Sequence, residues 1–166
     1  MSRLDSFIRR LLAQQACLDW AAAAVTDIPG PVLELGLGNG RTFDHMREIL
    51  PDREIFVFER EIRAHPDCVP NSTHLFLGDV RETLPQALDR LASCVALIHS
   101  DIGTGDEARN GRIAADLGPL LAKLMRSGGV IASDQPLDGP GWSRLEMPKG
   151  VPEGRYFLYR SGRLRE

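Results

Sequence analysis

Cysteine is scarce in this 166-residue chain: only Cys17, Cys68 and Cys94 are present, with no CxxC pair and no histidine pair nearby. An odd, scattered set excludes a disulfide framework and a cysteine zinc site, and fits reduced thiols in a cytoplasm. An excess of basic residues is also missing, since 20 Lys and Arg stand against 23 Asp and Glu for a net charge of −3. Binding along a phosphate backbone needs the opposite balance, so nucleic acid is not an expected partner. No run approaches the roughly 18 consecutive apolar residues of a membrane span. The start, MSRLDSFIRRLL, carries Asp5 and no unbroken apolar stretch before a small-residue cleavage site, so no export signal and no membrane partner are expected. With 43% apolar residues, the chain has the length for one core and no room for a second. The expectation is a single cytoplasmic domain, residues 1–166, with one site.

What is present is a regular alternation. Leu4, Ile8, Leu11, Leu12 and Leu18 recur at helical intervals among Arg9, Arg10, Gln14 and Gln15, which predicts an amphipathic N-terminal helix within residues 1–27 with one buried stripe. After DIPG come a strand at 31–36, a helix at 40–50, a strand at 54–59, a strand at 73–78, a helix at 81–92, a strand at 94–100, a helix at 106–126 and a strand at 128–133. Strands that are apolar on both faces and separated by helices predict a parallel sheet covered on both sides. The last third changes. WSRLEM and RYFLYR are joined by PKGVPEG without a helical stretch, which predicts a C-terminal antiparallel β-hairpin over 142–160. The fold class is therefore α/β, with a doubly wound, mostly parallel sheet carrying helices on both faces.

The chemistry gathers at the strand ends. VLELGLGNGRT places Gly36, Gly38 and Gly40 between the first strand and the helix after it, where the free N–H groups of a helix start face the carboxyl edge of the sheet. Glycines there let chain and ligand approach closely. The spacing is GxGxG, not GxGxxG, and Glu34 just ahead of it would repel a pyrophosphate but attract an ammonium. Both features argue against a dinucleotide and for a ligand with an amino-acid end, a ribose and a cationic centre. Glu59, at the second strand's end, can accept both hydroxyl protons of a ribose. In LFLGDV the third strand ends in Gly78 and Asp79; Asp79 can accept from an exocyclic amine while the N–H of Val80 donates to a ring nitrogen. One acid at a strand end is ordinarily just solvated, but acids at successive strand ends form a pattern.

With these residues in place, the chain resembles the S-adenosylmethionine-dependent methyltransferases built on a seven-stranded Rossmann-like sheet. ELGLGNG is similar to their first motif, Glu59 to their ribose acid and GDV at 78–80 to their adenine-contacting segment. The resemblance implies S-adenosylmethionine as cofactor, a Rossmann-like core at 29–135, Glu34 near the methionine amino group, and Gly36 to Gly40 under the ligand. One departure is the interval before the sixth strand, where DGPGWSR replaces the family's helix. That flank is expected to be bare and available to a homo-oligomer.

Methyl transfer mostly requires holding a nucleophile in line, with a base where the nucleophile carries a proton. In IHSDIGTGD, His99 is the expected base because its ordinary pKa is near neutral, and Asp101 is expected to bind the methionine ammonium or orient the acceptor. Asp134 and Gln135 stand where catechol-type O-methyltransferases, which the segment is similar to, hold a divalent cation with an Asp-Asn pair. The longer Gln displaces the carbonyl by one methylene, and no metal is expected. Trp20, Trp142 and Tyr156 are candidate apolar walls for an acceptor, and Arg160, Arg163 and Arg165 read as a solvated tail. The absence of an NPPY-like segment and of a long insertion points to a small-molecule acceptor. Two competing readings are a noncatalytic sensor of S-adenosylmethionine or its demethylated product, and a nicotinamide-dependent oxidoreductase.

Overall fold

The computed structural model describes residues 2–104 and 106–162. Arg163 and Arg165, two of the three arginines read as a tail, lie outside the described residues. Seven strands form one sheet: β1 (Val32–Leu35), β2 (Ile55–Glu59), β3 (Leu75–Leu77), β4 (Val95–Ser100), β5 (Met125–Ser133), β6 (Trp142–Arg144) and β7 (Phe157–Ser161). Their spatial order is β3-β2-β1-β4-β5-β7-β6. The first five run parallel, and β7 is antiparallel to both β5 and β6. This is the doubly wound sheet with an antiparallel end that the alternation predicts.

Side chains along each strand alternate between two buried faces. Leu33, Leu35, Phe56, Phe58, Ile98 and Ile131 pack under α3 (Val80–Leu91) and α4 (Glu107–Leu124), whose Leu84, Leu117 and Leu121 close that layer. Val32, Ile55, Val57, Leu97 and Val130 face the other way, onto α1 (Arg3–Ala24) and α2 (Arg41–Ile49). Glu34 and His99 share this second parity and stand directly opposite each other in the β1/β4 register. A carboxylate and an imidazole thus enter the sheet interior as neighbours.

Two expectations are corrected. The first concerns α1, where Ala13, Gln14, Cys17, Leu18, Ala21 and Ala22 are buried while Leu4, Ile8 and Leu12 are exposed. Its 22 residues span about 33 Å, whereas the six residues of β4 span about 20 Å. Val25 packs near the strand starts and Gln14 reaches the strand ends, so the first turns extend past the carboxyl edge with no sheet beneath them. Between β2 and β3, where no helix is expected, no α-helix forms. His65-Pro66 and Val69-Pro70 limit that connection to a single 3-10 turn, Pro66–Cys68, because proline lacks the N–H a helix needs. The second correction is that the flank expected to be bare carries Leu137 and Trp142, which pack with Phe157 and Tyr159 against the main core.

Arg53 joins these parts. Its guanidinium donates to four carbonyls, those of Val25, Thr26, Ile28 and Gly30, at 2.6–3.3 Å, and so clamps the turn between α1 and β1 against the start of β2.

Candidate active site

The carboxyl ends of β1 to β4 surround a cavity of about 880 Å³, within the roughly 300–1,000 Å³ usual for small-molecule sites. Among the predicted residues, Gly36, Gly38, Glu59, Gly78, Asp79, Val80 and Asp101 line it. Glu34, Gly40 and His99 do not.

The three glycines serve three purposes. Gly36, Gly38 and Gly40 all have positive φ, at 90°, 54° and 84°, which disfavours any side chain. A Cβ on Gly36 would lie 2.6 Å from the Asp101 carbonyl, so this glycine lets β1 and the end of β4 come together. One on Gly40 would collide with Cys68, beneath the start of α2. Only at Gly38 would a Cβ meet nothing within 4 Å; there the chain lies bare beside the cavity.

Glu59 is held in place from two directions. Its Oε2 accepts from the backbone N–H groups of Leu37 and Gly38 at 2.8 and 2.9 Å, and its Oε1 from those of Arg60 and Glu61 at 2.6 and 3.3 Å. The end of β2 is thereby bonded to the glycine loop. Asp79 is the N-cap of α3, accepting from the Arg81 N–H at 2.9 Å, and the Arg81 guanidinium also binds both its oxygens at 3.0 and 3.1 Å. Those side-chain and backbone bonds lower the Asp79 pKa to about 2.

A second acid pair lies at the ends of β4 and β5. Asp101 Oδ2 accepts from Gln14 Nε2 at 2.8 Å, and Arg10 NH1 is 3.7 Å from Oδ1. Asp134 Oδ2 accepts from the Gly103 N–H at 3.1 Å and from Gln135 Nε2 at 3.4 Å. A Cβ on Gly103 would lie 2.2 Å from Asp134 Oδ2, so a larger residue there would push that carboxylate aside. The other oxygen, Asp134 Oδ1, is buried without a conventional partner. Burial, followed by the charge of Asp101 and a hydrogen bond to it, raises the Asp134 pKa to about 7. The negative charge of Asp101 nearby thus favours the protonated form of Asp134.

His99 and Glu34 are placed differently from expectation. Both are 0% exposed, His99 Nδ1 lies 2.5 Å from Glu34 Oε2, and Thr42 Oγ1 donates to Glu34 Oε1. The remaining ring nitrogen, Nε2, is hydrogen-bonded to the Tyr156 hydroxyl. Burial alone would lower the His99 pKa, but the adjacent Glu34 carboxylate outweighs it and the net direction is up. Neither ring nitrogen is open to the cavity. The strand alternation points both residues toward α1 and α2, and neither lines the cavity.

The aromatic walls also fail to appear. Tyr156 is 1% exposed in the core beside Cys17 and Leu158, Trp142 packs on Tyr159, and Trp20 packs against the α1 clusters. Sequence reading missed Gln14 and Arg10 as site residues because their spacing on α1 reads as the solvated face of a helix. Buried glutamine is rare, but that signal needs the burial itself. Among the described residues, no three His, Cys, Asp or Glu side chains converge as a metal-holding group, and no helix is long and apolar enough to cross a membrane.

Residues 1–161 match the model of a family described as S-adenosyl-L-methionine methyltransferase, and the chain belongs to that family. It is similar to the crystal structure of an S-adenosyl-L-methionine methyl transferase from Silicibacter pomeroyi DSS-3, with 44% identity over 98% of this chain and 99% of that one and a TM-score of 0.92. Two more distant structures share the fold. TrmN from Thermus thermophilus has 17% identity over 92% of this chain and 48% of that one, with a TM-score of 0.59. The 16S rRNA (adenine(1408)-N(1))-methyltransferase from Catenulisporales acidiphilia, solved with its cosubstrate, has 14% identity over 90% and 93%, with a TM-score of 0.51. No curated protein matches the chain. The chain is thus an S-adenosylmethionine-dependent methyltransferase. The cavity fits that cofactor in its volume, in the bare backbone at Gly38, and in carboxylates positioned at successive strand ends.

Proposed function

We propose that the protein methylates a small-molecule acceptor, with Asp101 and Asp134 as the pair that orients the acceptor and takes its proton. The observation that carries this reading is the position of Asp101, which lines the same cavity as Glu59 and Asp79 yet belongs to a separate acid pair at the β4 and β5 ends. Glu59 holds the ribose hydroxyls of the cofactor; Asp79 and the N–H of Val80 read the adenine edge; Gly36, Gly38 and Gly78 keep the walls bare beneath it. Bound S-adenosylmethionine supplies an electrophilic methyl group on sulfur.

The chain's own work is alignment and proton removal. The Asp101 carboxylate accepts a hydrogen bond from the acceptor's O–H or N–H and so fixes the direction of its lone pair. Asp134, with a pKa near neutral, lets the pair receive that proton at physiological pH, where an isolated carboxylate is a weak base. The net charge of −3 and the lack of a surplus of basic side chains in the cavity support a small acceptor over a polyanion.

The test incubates the protein with tritium-labelled S-adenosylmethionine and, separately, a small-metabolite extract and total RNA. Label in the metabolite fraction is expected. Label confined to RNA would overturn the acceptor class, and no label anywhere despite tight binding would favour a sensor.

A further inference from the structure

The sheet interior contains a hydrogen-bonded chain that ends in the cavity. Thr42 Oγ1, on α2 just after the glycine loop, donates to Glu34 Oε1. Glu34 Oε2 meets His99 Nδ1, His99 Nε2 meets the Tyr156 hydroxyl, and Gln14 Nε2 donates to that hydroxyl at 3.3 Å and to Asp101 Oδ2 at 2.8 Å. Glu34 and His99 are 0% exposed, Tyr156 1% and Gln14 6%. Desolvating a carboxylate and an imidazole costs several kcal/mol each, and an apolar pair of similar volume would hold β1 to β4 at least as well. Stability therefore does not account for this arrangement.

The geometry gives it another use. Tyr156 OH and Asp101 Oδ2 are both acceptors toward Gln14, so both amide N–H groups of Gln14 are committed and its orientation is determined. Tyr156 is held by His99, His99 by Glu34, and Glu34 by Thr42. We propose that Gln14, Tyr156, His99 and Glu34 form a positioning relay that fixes the Asp101 carboxylate toward the acceptor side of the cavity and ties it, through Thr42, to the helix of the glycine loop. The catalytic residue is Asp101; the relay acts through it. This rests on the reading of Asp101 given above. It also assigns His99 a role that does not require access to the acceptor.

Two variants test it. Tyr156→Phe keeps the ring and removes the hydroxyl, and Gln14→Met keeps length and volume while removing both donors, so failure of one to fold leaves the other. Crystal structures of each are expected to show the Asp101 side chain turned from its wild-type rotamer, a readout that needs no acceptor. Methyl transfer to the metabolite extract should fall about tenfold in each, with the double variant no worse than the poorer single. The dissociation constant of S-adenosylhomocysteine, measured by calorimetry, should stay within about twofold, since the ribose and adenine contacts are untouched. An unmoved Asp101 in every variant that folds would overturn the relay, as would unchanged transfer in those variants while Asp101→Asn loses it. If Asp101→Asn itself transfers normally, the reading of Asp101 fails, and the crystallographic rotamer alone decides the relay.

Discussion

The two halves of the cavity are built by opposite means. On the side of β1, β2 and β3, the acids are held from no more than 22 positions away: Glu59 by Leu37, Gly38, Arg60 and Glu61, and Asp79 by Arg81 two residues on. On the side of β4 and β5, support comes from far away in sequence. Gln14 reaches Asp101 across 87 positions, Tyr156 reaches His99 across 57, and His99 reaches Glu34 across 65. A local site needs only one βαβ unit to form, whereas a nonlocal one forms only when α1, β1, β4 and the loop before β7 are all in place. The difference separates two functions: the local half is expected to bind, and the nonlocal half to align and deprotonate.

Substitutions in each half can break that separation. The largest effect is expected for Asp101→Asn, with methyl transfer reduced about 10²- to 10⁴-fold and S-adenosylhomocysteine affinity nearly unchanged, checked by label transfer beside calorimetry. A parallel loss of affinity would show that Asp101 belongs to the binding half. Glu59→Gln should do the reverse. It loses a charged acceptor of two loop N–H groups, and the calorimetric dissociation constant should rise by about 10- to 100-fold. Arg53→Ala lies outside both halves and should cost about 2–3 kcal/mol in urea unfolding, because the four carbonyls it bonds lose their donor.

The smallest effect sharpens the comparison through pH. The folded pKa of Asp134, about 7, is above its ordinary 3.8, so the folded protein binds more protons than the unfolded chain between those values. Its stabilising contribution is complete below about pH 4 and is lost as pH rises through about 7. Asp134→Asn mimics the protonated form and should raise Tm at pH 8 but hardly at pH 5, by calorimetric scans. Over the same interval kcat/KM should rise and level off above about pH 7, since the pair becomes a competent base as its proton leaves. Equal Tm gains at both pH values would remove Asp134 from the pair.

The legibility of the sequence follows this division. Gly36, Gly38, Glu59, Gly78, Asp79 and Val80 were found from strand-end spacing, and all line the cavity. Glu34 and His99 are chemically unusual in the sequence, but each stands two residues before a cavity-lining position, Gly36 and Asp101, and so lies inside a fully buried strand short of the cavity. Gln14 gives no signal as a site residue, since a polar residue on a helix is ordinary in isolation, and Tyr156, expected as an apolar wall, instead offers a buried hydroxyl to His99 and Gln14.

The sequence alone determined the order of strands and helices, the antiparallel end, and the glycines and acids that line the cavity at the ends of β1, β2 and β3, because periodicity and turn chemistry act over a few residues. Only the tertiary structure decided which end of α1 covers the site, that β4 sets His99 against Glu34, and that Asp101 is held by Gln14, itself bonded to Tyr156. Those contacts depend on register and on helix length relative to the sheet, and both are fixed by packing between segments that the chain keeps far apart.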